Sequence, residues 1–134
     1  MRLMLDSNAC ISVMRRRSPE ILTRLKSLAP GDVAISGIVR FELEYGVCHS
    51  RHPEQNRAQL GHFLRYIETL DWGEKQALEA AEIRCQLARA GQIIGSYDVL
   101  IAAHARSLSV PLVTRNIREF GRVPRLLVED WESP

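Results

Sequence analysis

The sequence predicts an α/β domain with a central, mainly parallel sheet. Two observations carry this reading. Short apolar runs alternate with longer stretches of helical periodicity. Helix start and stop residues then punctuate those stretches. At 134 residues the chain is long enough for one domain, 1–134, to bury a core without staples.

Arg2 to Asp6 reads as a short buried strand ending on an acid. Ser7 or Asn8 is the expected cap of a helix running to Met14. Pro19 opens a second helix, Glu20 to Leu28, and Pro30 with Gly31 breaks it. Val33 to Ser36 is the second strand. Ile38 to Cys48 forms the next helix, and Pro53 starts another that runs to Arg65. Tyr66 to Trp72 holds a third strand. Glu74 to Ala90 is a long amphipathic helix whose apolar positions are Ala77, Leu78, Ala81, Ile83, Cys85, Leu87 and Ala88, with Gly91 as its stop. Ser96 is the expected cap of the following helix, which carries Asp98 in its first turn and apolar residues nearly all round, the mark of a buried helix. Pro111 to Thr114 is a fourth strand, Asn116 to Phe120 a single helical turn, and Leu126 to Val128 the last strand.

Composition excludes several classes. With 46% hydrophobic and 25% charged residues the chain is an ordinary globular protein. No apolar run approaches the roughly 18 residues of a membrane span. Asp6 comes too early for a secretory leader, so the cytoplasm is the expected location and no membrane partner is expected. Cys10, Cys48 and Cys85 are too scattered for a disulfide framework or a cysteine zinc site, and read as small buried residues. The four histidines show no metal-binding spacing. His104 is expected to pack in the interior with one hydrogen bond. A net charge of +2 is not that of a strongly basic nucleic-acid binder. Yet among 18 basic residues only Lys26 and Lys75 are lysines, and the arginines cluster at 15–17 and 115–125. Arginine's planar fork suits phosphate oxygens. Arg15, Arg16 and Arg17 equally suit the dipole at the end of the first helix.

In a parallel sheet, ligands bind beyond the carboxyl ends of the strands. Asp6 ends the first strand, Glu42 and Asp98 lie in early helical turns, and Asn116 and Glu119 follow the fourth strand. A parallel sheet gathers all five at one edge. Carboxylates that converge without a cationic side chain repel one another, and hard divalent ions relieve that repulsion. An all-oxygen site with few ligands suits magnesium or manganese, ions that serve phosphoryl chemistry. Each residue has a plainer alternative: Asp98 complements its helix dipole, Glu42 is a surface acid, and Asn116 is a helix cap.

Four segments in order resemble one family. Leu5-Asp6-Ser7-Asn8 resembles the D-[ST]-N opening of PIN domains, and Phe41-Glu42-Leu43-Glu44-Tyr45-Gly46 resembles their E-L-x-x-G helix. Ile94-Gly95-Ser96-Tyr97-Asp98 and the helix it opens resemble the I-G-x-x-D segment of the VapC toxins. Leu112 to Phe120 resembles their V-T-x-N-x-x-[ED]-F segment. The resemblance covers the chain end to end and is most similar to the VapC group that cuts initiator tRNA in its anticodon stem-loop.

That resemblance implies a PIN-like three-layer α/β/α sandwich and a Mg2+-dependent endoribonuclease, with Mn2+ able to substitute. Asp6 and Asp98 would be the main metal ligands, Glu42 a further acid, and Glu119 the completing one. Asn116 would orient the set or contact the scissile phosphate, and Asn8 would support Asp6. Many PIN domains carry an Asp after the fourth strand, so Glu119 departs from the pattern. A VapB-type antitoxin, an RNA substrate (tRNA foremost) and a second copy are the implied partners, with operator DNA reached only through the antitoxin. The apolar faces of the helices at 38–48 and 53–65 are candidates for the dimer contact. The alternative is a non-catalytic PIN module that binds RNA or protein. A phosphoacceptor receiver domain is disfavoured because Lys26 and Lys75 are misplaced for it.

Overall fold

The computed structural model describes residues 1–133. Its sheet contains β1 (Leu3–Leu5), β2 (Val33–Ser36), β3 (Glu68–Leu70), β4 (Leu112–Val113) and β5 (Val128–Glu129) in the spatial order β3-β2-β1-β4-β5. Every pairing is parallel. The helices are α1 (Ser7–Met14), α2 (Pro19–Lys26), α3 (Gly37–Cys48), α4 (Pro53–Leu64), α5 (Glu74–Arg89), α6 (Ser96–Ser107) and α7 (Ile117–Phe120). The expected α/β/α architecture with a parallel sheet is the one observed. Strand order turns back between β1 and β4, and connections leave such a switch point toward opposite faces, opening a crevice there.

The central strands β1, β2 and β4 are buried along their whole lengths, and Leu5, Ala34 and Ile35 are fully enclosed. α6 is apolar on nearly all sides, and Ile101 to Arg106 are buried without a break. His104 lies among them, and its Nδ1 shares a 2.7 Å hydrogen bond with the Ser36 hydroxyl, as the expectation of one interior bond requires. Burial lowers the His104 pKa, which keeps the ring neutral. Ser36 Oγ also accepts from the Ile38 amide as the N-cap of α3. One hydroxyl thus ties the end of β2 and the start of α3 to the middle of α6.

Several local expectations need correction. The cap of α1 is Asp6, not Ser7 or Asn8: its Oδ1 accepts from the Ala9 amide at 2.8 Å. Gly95, not Ser96, is the N-cap of α6, and Ser96 is its first helical residue. The fifth strand starts at Val128 rather than Leu126. The buried stripe of α5 is Gln76, Ala80, Ile83 and Leu87. Ala77, Leu78, Ala81, Cys85 and Ala88 face outward, as does Cys48 on α3, so only Cys10 is a core cysteine. Small apolar residues fill both sides of α5, and hydrophobicity alone cannot orient such a helix. Gln76 is buried because both ends of its amide are used: Oε1 accepts from Gly73 N, and Nε2 donates to Ser107 Oγ. α5 ends as expected. Gly91 has φ +65°, and the amides of Gly91 and Gln92 return to the carbonyls of Ala88 and Leu87 in a Schellman closure.

Ser36→Ala removes a helix cap and leaves a buried imidazole without its partner. It should cost about 1–3 kcal/mol in urea denaturation while leaving the far-ultraviolet spectrum unchanged.

Candidate active site

Asp6 closes the central strand and is 4% exposed. Burial raises its pKa, and the charges of Glu132 and Glu42 add to that rise, against hydrogen bonds from Thr114 and the Ala9 amide. Thr114 is itself buried, and its hydroxyl also accepts from Asn116 N at 2.9 Å. Ser7, one residue on, turns toward α3, and its Oγ donates to Glu42 Oε1 at 2.5 Å. The first strand therefore delivers one acid itself and holds a second through a neighbouring hydroxyl. Glu44 points elsewhere and pairs with Arg40 and Arg57.

Asp98 and Glu119 form the other half. Glu119 Oε1 accepts from the Gly95 amide at 3.0 Å, and its Oε2 accepts from Asn116 Nδ2 at 2.7 Å. Asn116 is also the N-cap of α7, so its cap role and its contact with Glu119 coexist. The Gly95 amide leads the forces that hold the Glu119 carboxyl below its usual value. Asp98 is the contrasting partner. Burial, the Glu119 carboxyl beside it, and the charges of Glu42 and Asp6 push its pKa to about 7. Without a cation, the proton of this pair resides on Asp98.

The structure thus brings Asp6, Glu42 and Glu119 each within electrostatic reach of Asp98, with Asn116 bonded to Glu119. Asn8 is exposed and makes no bond to Asp6; the Ala9 amide fills the role expected of it. Thr114 and Glu132 are the residues that sequence reasoning missed. A polar residue ending an apolar strand was a readable sign for Thr114. Glu132 reaches Asp6 only because the C-terminal segment folds back, which no spacing reveals.

The donor set fits a hard divalent cation. It is all oxygen, and burial with the neighbouring acids disfavours the charge on Asp98, which a cation would relieve. Among the described residues, no three His, Cys, Asp or Glu side chains are drawn together closely enough to enclose an ion. Such an open arrangement suits an ion that keeps several waters. On the α1 and β4 side of Asp6, a polar cleft of about 490 Å³ is lined by Asn8, Ser12, Arg17, Arg115, Asn116 and Glu132, among others. An apolar cavity of about 460 Å³ beneath α1, α2 and α4 shares no residue with the acids.

A parallel sheet with this acidic edge is the mark of a PIN domain, and the chain belongs to that family, whose pattern it matches over residues 3–126. Within it the chain belongs with the VapC proteins. It is 41% identical over 131 residues to Ribonuclease VapC2 of Rickettsia felis, covering 97% of this chain and 98% of that one. It is 39% identical to the tRNA(fMet)-specific endonuclease VapC of Salmonella typhimurium, covering 98% of each. The crystal structure of VapBC2 from Rickettsia felis bound to a promoter DNA fragment superposes with a TM-score of 0.92 at 39% identity, over 98% of this chain and 99% of that one. DNA-bound VapBC from Salmonella typhimurium gives the same TM-score and identity, over 98% of each.

Asp98 binds its proton more tightly folded than unfolded. Between the usual carboxylate range and about 7 the folded state therefore holds the extra proton, and stability falls as pH rises through that window. Asp6 acts in the same direction, whereas Glu119 contributes stability above its unfolded pKa that is lost as pH falls. In EDTA the melting temperature should drop from about pH 5 to about pH 8, and magnesium should restore more of it at the higher pH. Asp98→Asn should flatten both effects. An equal magnesium shift at the two pH values, or in Asp98→Asn, would contradict this account. A Cβ at Gly95 would stand 3.0 Å from Asp98 Oδ2, so Gly95→Ala should displace that carboxylate and weaken the magnesium shift while the fold persists.

Proposed function

We propose that this protein is the metal-dependent endoribonuclease of a toxin–antitoxin pair and that it hydrolyses initiator tRNA in the anticodon stem-loop. One arrangement carries the chemistry: Asp6, Glu42, Asp98 and Glu119 lie at the carboxyl edge of a parallel sheet, where burial and the charges of the other three raise the pKa of Asp98 to about 7. The substrate class rests on the names of relatives about 40% identical over nearly the full chain. A non-catalytic binding module has no use for that electrostatic strain.

Asp6 and Asp98 are the proposed principal ligands of magnesium, with manganese as a substitute, and Glu42 and Glu119 complete the set. When bound, the ion acidifies water and offsets charge that builds on the phosphodiester. The protein supplies the positioning. Ala9 N and Thr114 fix Asp6, Ser7 fixes Glu42, and Gly95 N with Asn116 Nδ2 fixes Glu119. Attack of water at phosphorus breaks the P–O3′ bond and leaves a 5′-phosphate and a 3′-hydroxyl. Arg17 and Arg115 sit in the cleft beside Asp6, where they suit phosphates of the same strand.

A VapB-type antitoxin is the proposed inhibitor, laying a segment across the acidic edge, and contact with operator DNA runs through it. The VapBC complexes bound to DNA support this reading. Self-association is also proposed. α4 turns Leu60 and Phe63 inward, so the outward residues of α5 offer a better apolar surface than α4. Among the described residues no helix is long and apolar enough to cross a membrane.

Antitoxin-free protein incubated with total tRNA should give discrete cuts in magnesium or manganese and none in EDTA. Sequenced ends should fall in the initiator anticodon loop. Asp98→Asn should cut at least about 100-fold more slowly, the scale of losing a charge-stabilising group. Metal-independent cutting, or cutting that survives Asp98→Asn, would refute the assignment. Ser7→Ala, which frees Glu42 without removing an acid, should lower the rate by less, about tenfold, as is usual for a supporting contact.

A further inference from the structure

Two aromatic rings stand exposed beside the acids. Phe41 directly precedes Glu42, Tyr97 directly precedes Asp98, and each is 50% exposed. Their ring centroids lie 5.7 Å apart at an interplanar angle of 63°, so the contact joins the helices that carry the two acids. An aromatic pair of this kind normally belongs in a core, where its apolar area leaves water. Here each of the two residues keeps half of its surface in solvent. Consecutive helical residues diverge by about 100°, so rings one position before the acids mark the rim of the site rather than its floor.

We propose that Phe41 and Tyr97 form a platform on which one unstacked base of the substrate RNA rests. The inference deepens the nuclease reading and rests on it. If the acids engage the scissile phosphate, a base attached through the adjoining ribose falls at this rim. Looped RNA is read by splayed bases that stack on aromatic faces, and the half-exposure of each residue leaves aromatic surface outside the edge-to-face contact for such a base. Arg17 and Arg115 line a separate polar cleft with Asn116 and Glu132, whose charge acts on Asp6, so the strand would run from a base platform past the acids to a phosphate-binding cleft. The platform also explains how a chain with 6% aromatic residues could bind a loop: the contact needs two rings, placed beside the chemistry. Neither Trp72 nor Trp131 serves: Trp131 is buried with Arg24 over its ring, and Trp72 is packed partly buried against the core.

The test uses anticodon stem-loops carrying 2-aminopurine at each loop position in turn, bound to the slow-cutting Asp98→Asn protein. The fluorescence of one position should be quenched on binding and should recover when Tyr97→Leu or Phe41→Leu is added. Tyr97→Phe should keep the quench, because stacking needs no hydroxyl. With Asp98 intact, each leucine variant should raise KM about tenfold with kcat within about twofold, the scale of one lost stacking contact. Leucine keeps an apolar surface, so light scattering should show no change of mass. The platform is overturned if no position responds to either substitution, or if weaker binding appears only together with a change of oligomeric state, which would assign the rings to a second copy. A quench without any cutting by the unsubstituted protein would uphold the platform and refute the nuclease. Cutting with no response of any base would do the reverse.

Discussion

A single contact, the Ala9 amide donating to Asp6 at 2.8 Å, binds fold and site together. Asp6 ends the central strand, begins the first helix and is almost wholly buried. A buried carboxylate without donors would be costly, so the helix start compensates for an acid that a simple strand could not hold. The same geometry fixes Ser7, whose hydroxyl fixes Glu42 across 35 residues of sequence. The cap is thus a stabilising element that also sets half of the acidic group.

The other half is organised around a deficit. Asp98 has no donor to compare with Ala9 N, and Glu119 takes the Gly95 and Asn116 donors instead. The fold accepts a carboxyl whose charged form is disfavoured up to about pH 7. Stability is given up at this carboxyl, and the rigid layers around it hold the strain in place. α6 is suited to that task. His104 bonds to Ser36, the Trp72 indole donates to Leu100 O, and Arg106 reaches Glu79, Gln86 and Pro124 O. A helix anchored along its length this way keeps its first turn where the acid is needed.

Much of this was legible from the residue order. Parallel strands follow from short apolar runs separated by helices, and a parallel sheet then places Asp6, Glu42, Asp98, Asn116 and Glu119 at one edge. What failed were choices between neighbours of similar chemistry. Asp6, Ser7 and Asn8 are all good caps, and only the exit direction of β1 decides among them. Ala77, Leu78, Ala81 and Cys85 look as apolar as Ala80 and Ile83, and the packing of α6 against one side of α5 decides which are buried. Gln76 is the converse, a polar residue in the buried stripe because Gly73 and Ser107 satisfy it. Phe41 and Tyr97 belong to the same class: sequence showed two aromatics, and only the structure showed them touching in solvent beside two acids.

The glutamate at position 119 can be understood in these terms. Helix α7 has only four residues, and its cap Asn116 lies just past β4. The carboxylate must leave this short turn and reach the amide of Gly95 at the start of α6. A glutamate spans that gap while Asn116 steadies its other oxygen. An aspartate would have one methylene less with which to meet the same two donors. Holding Glu119 ionised has a second consequence, because its charge is part of what keeps the proton on Asp98. Two acids side by side thereby become unequal, one fixed with its pKa lowered, the other with its pKa raised to about 7. The departure from the commoner aspartate is then a change in how the site is braced, with the charge it presents preserved.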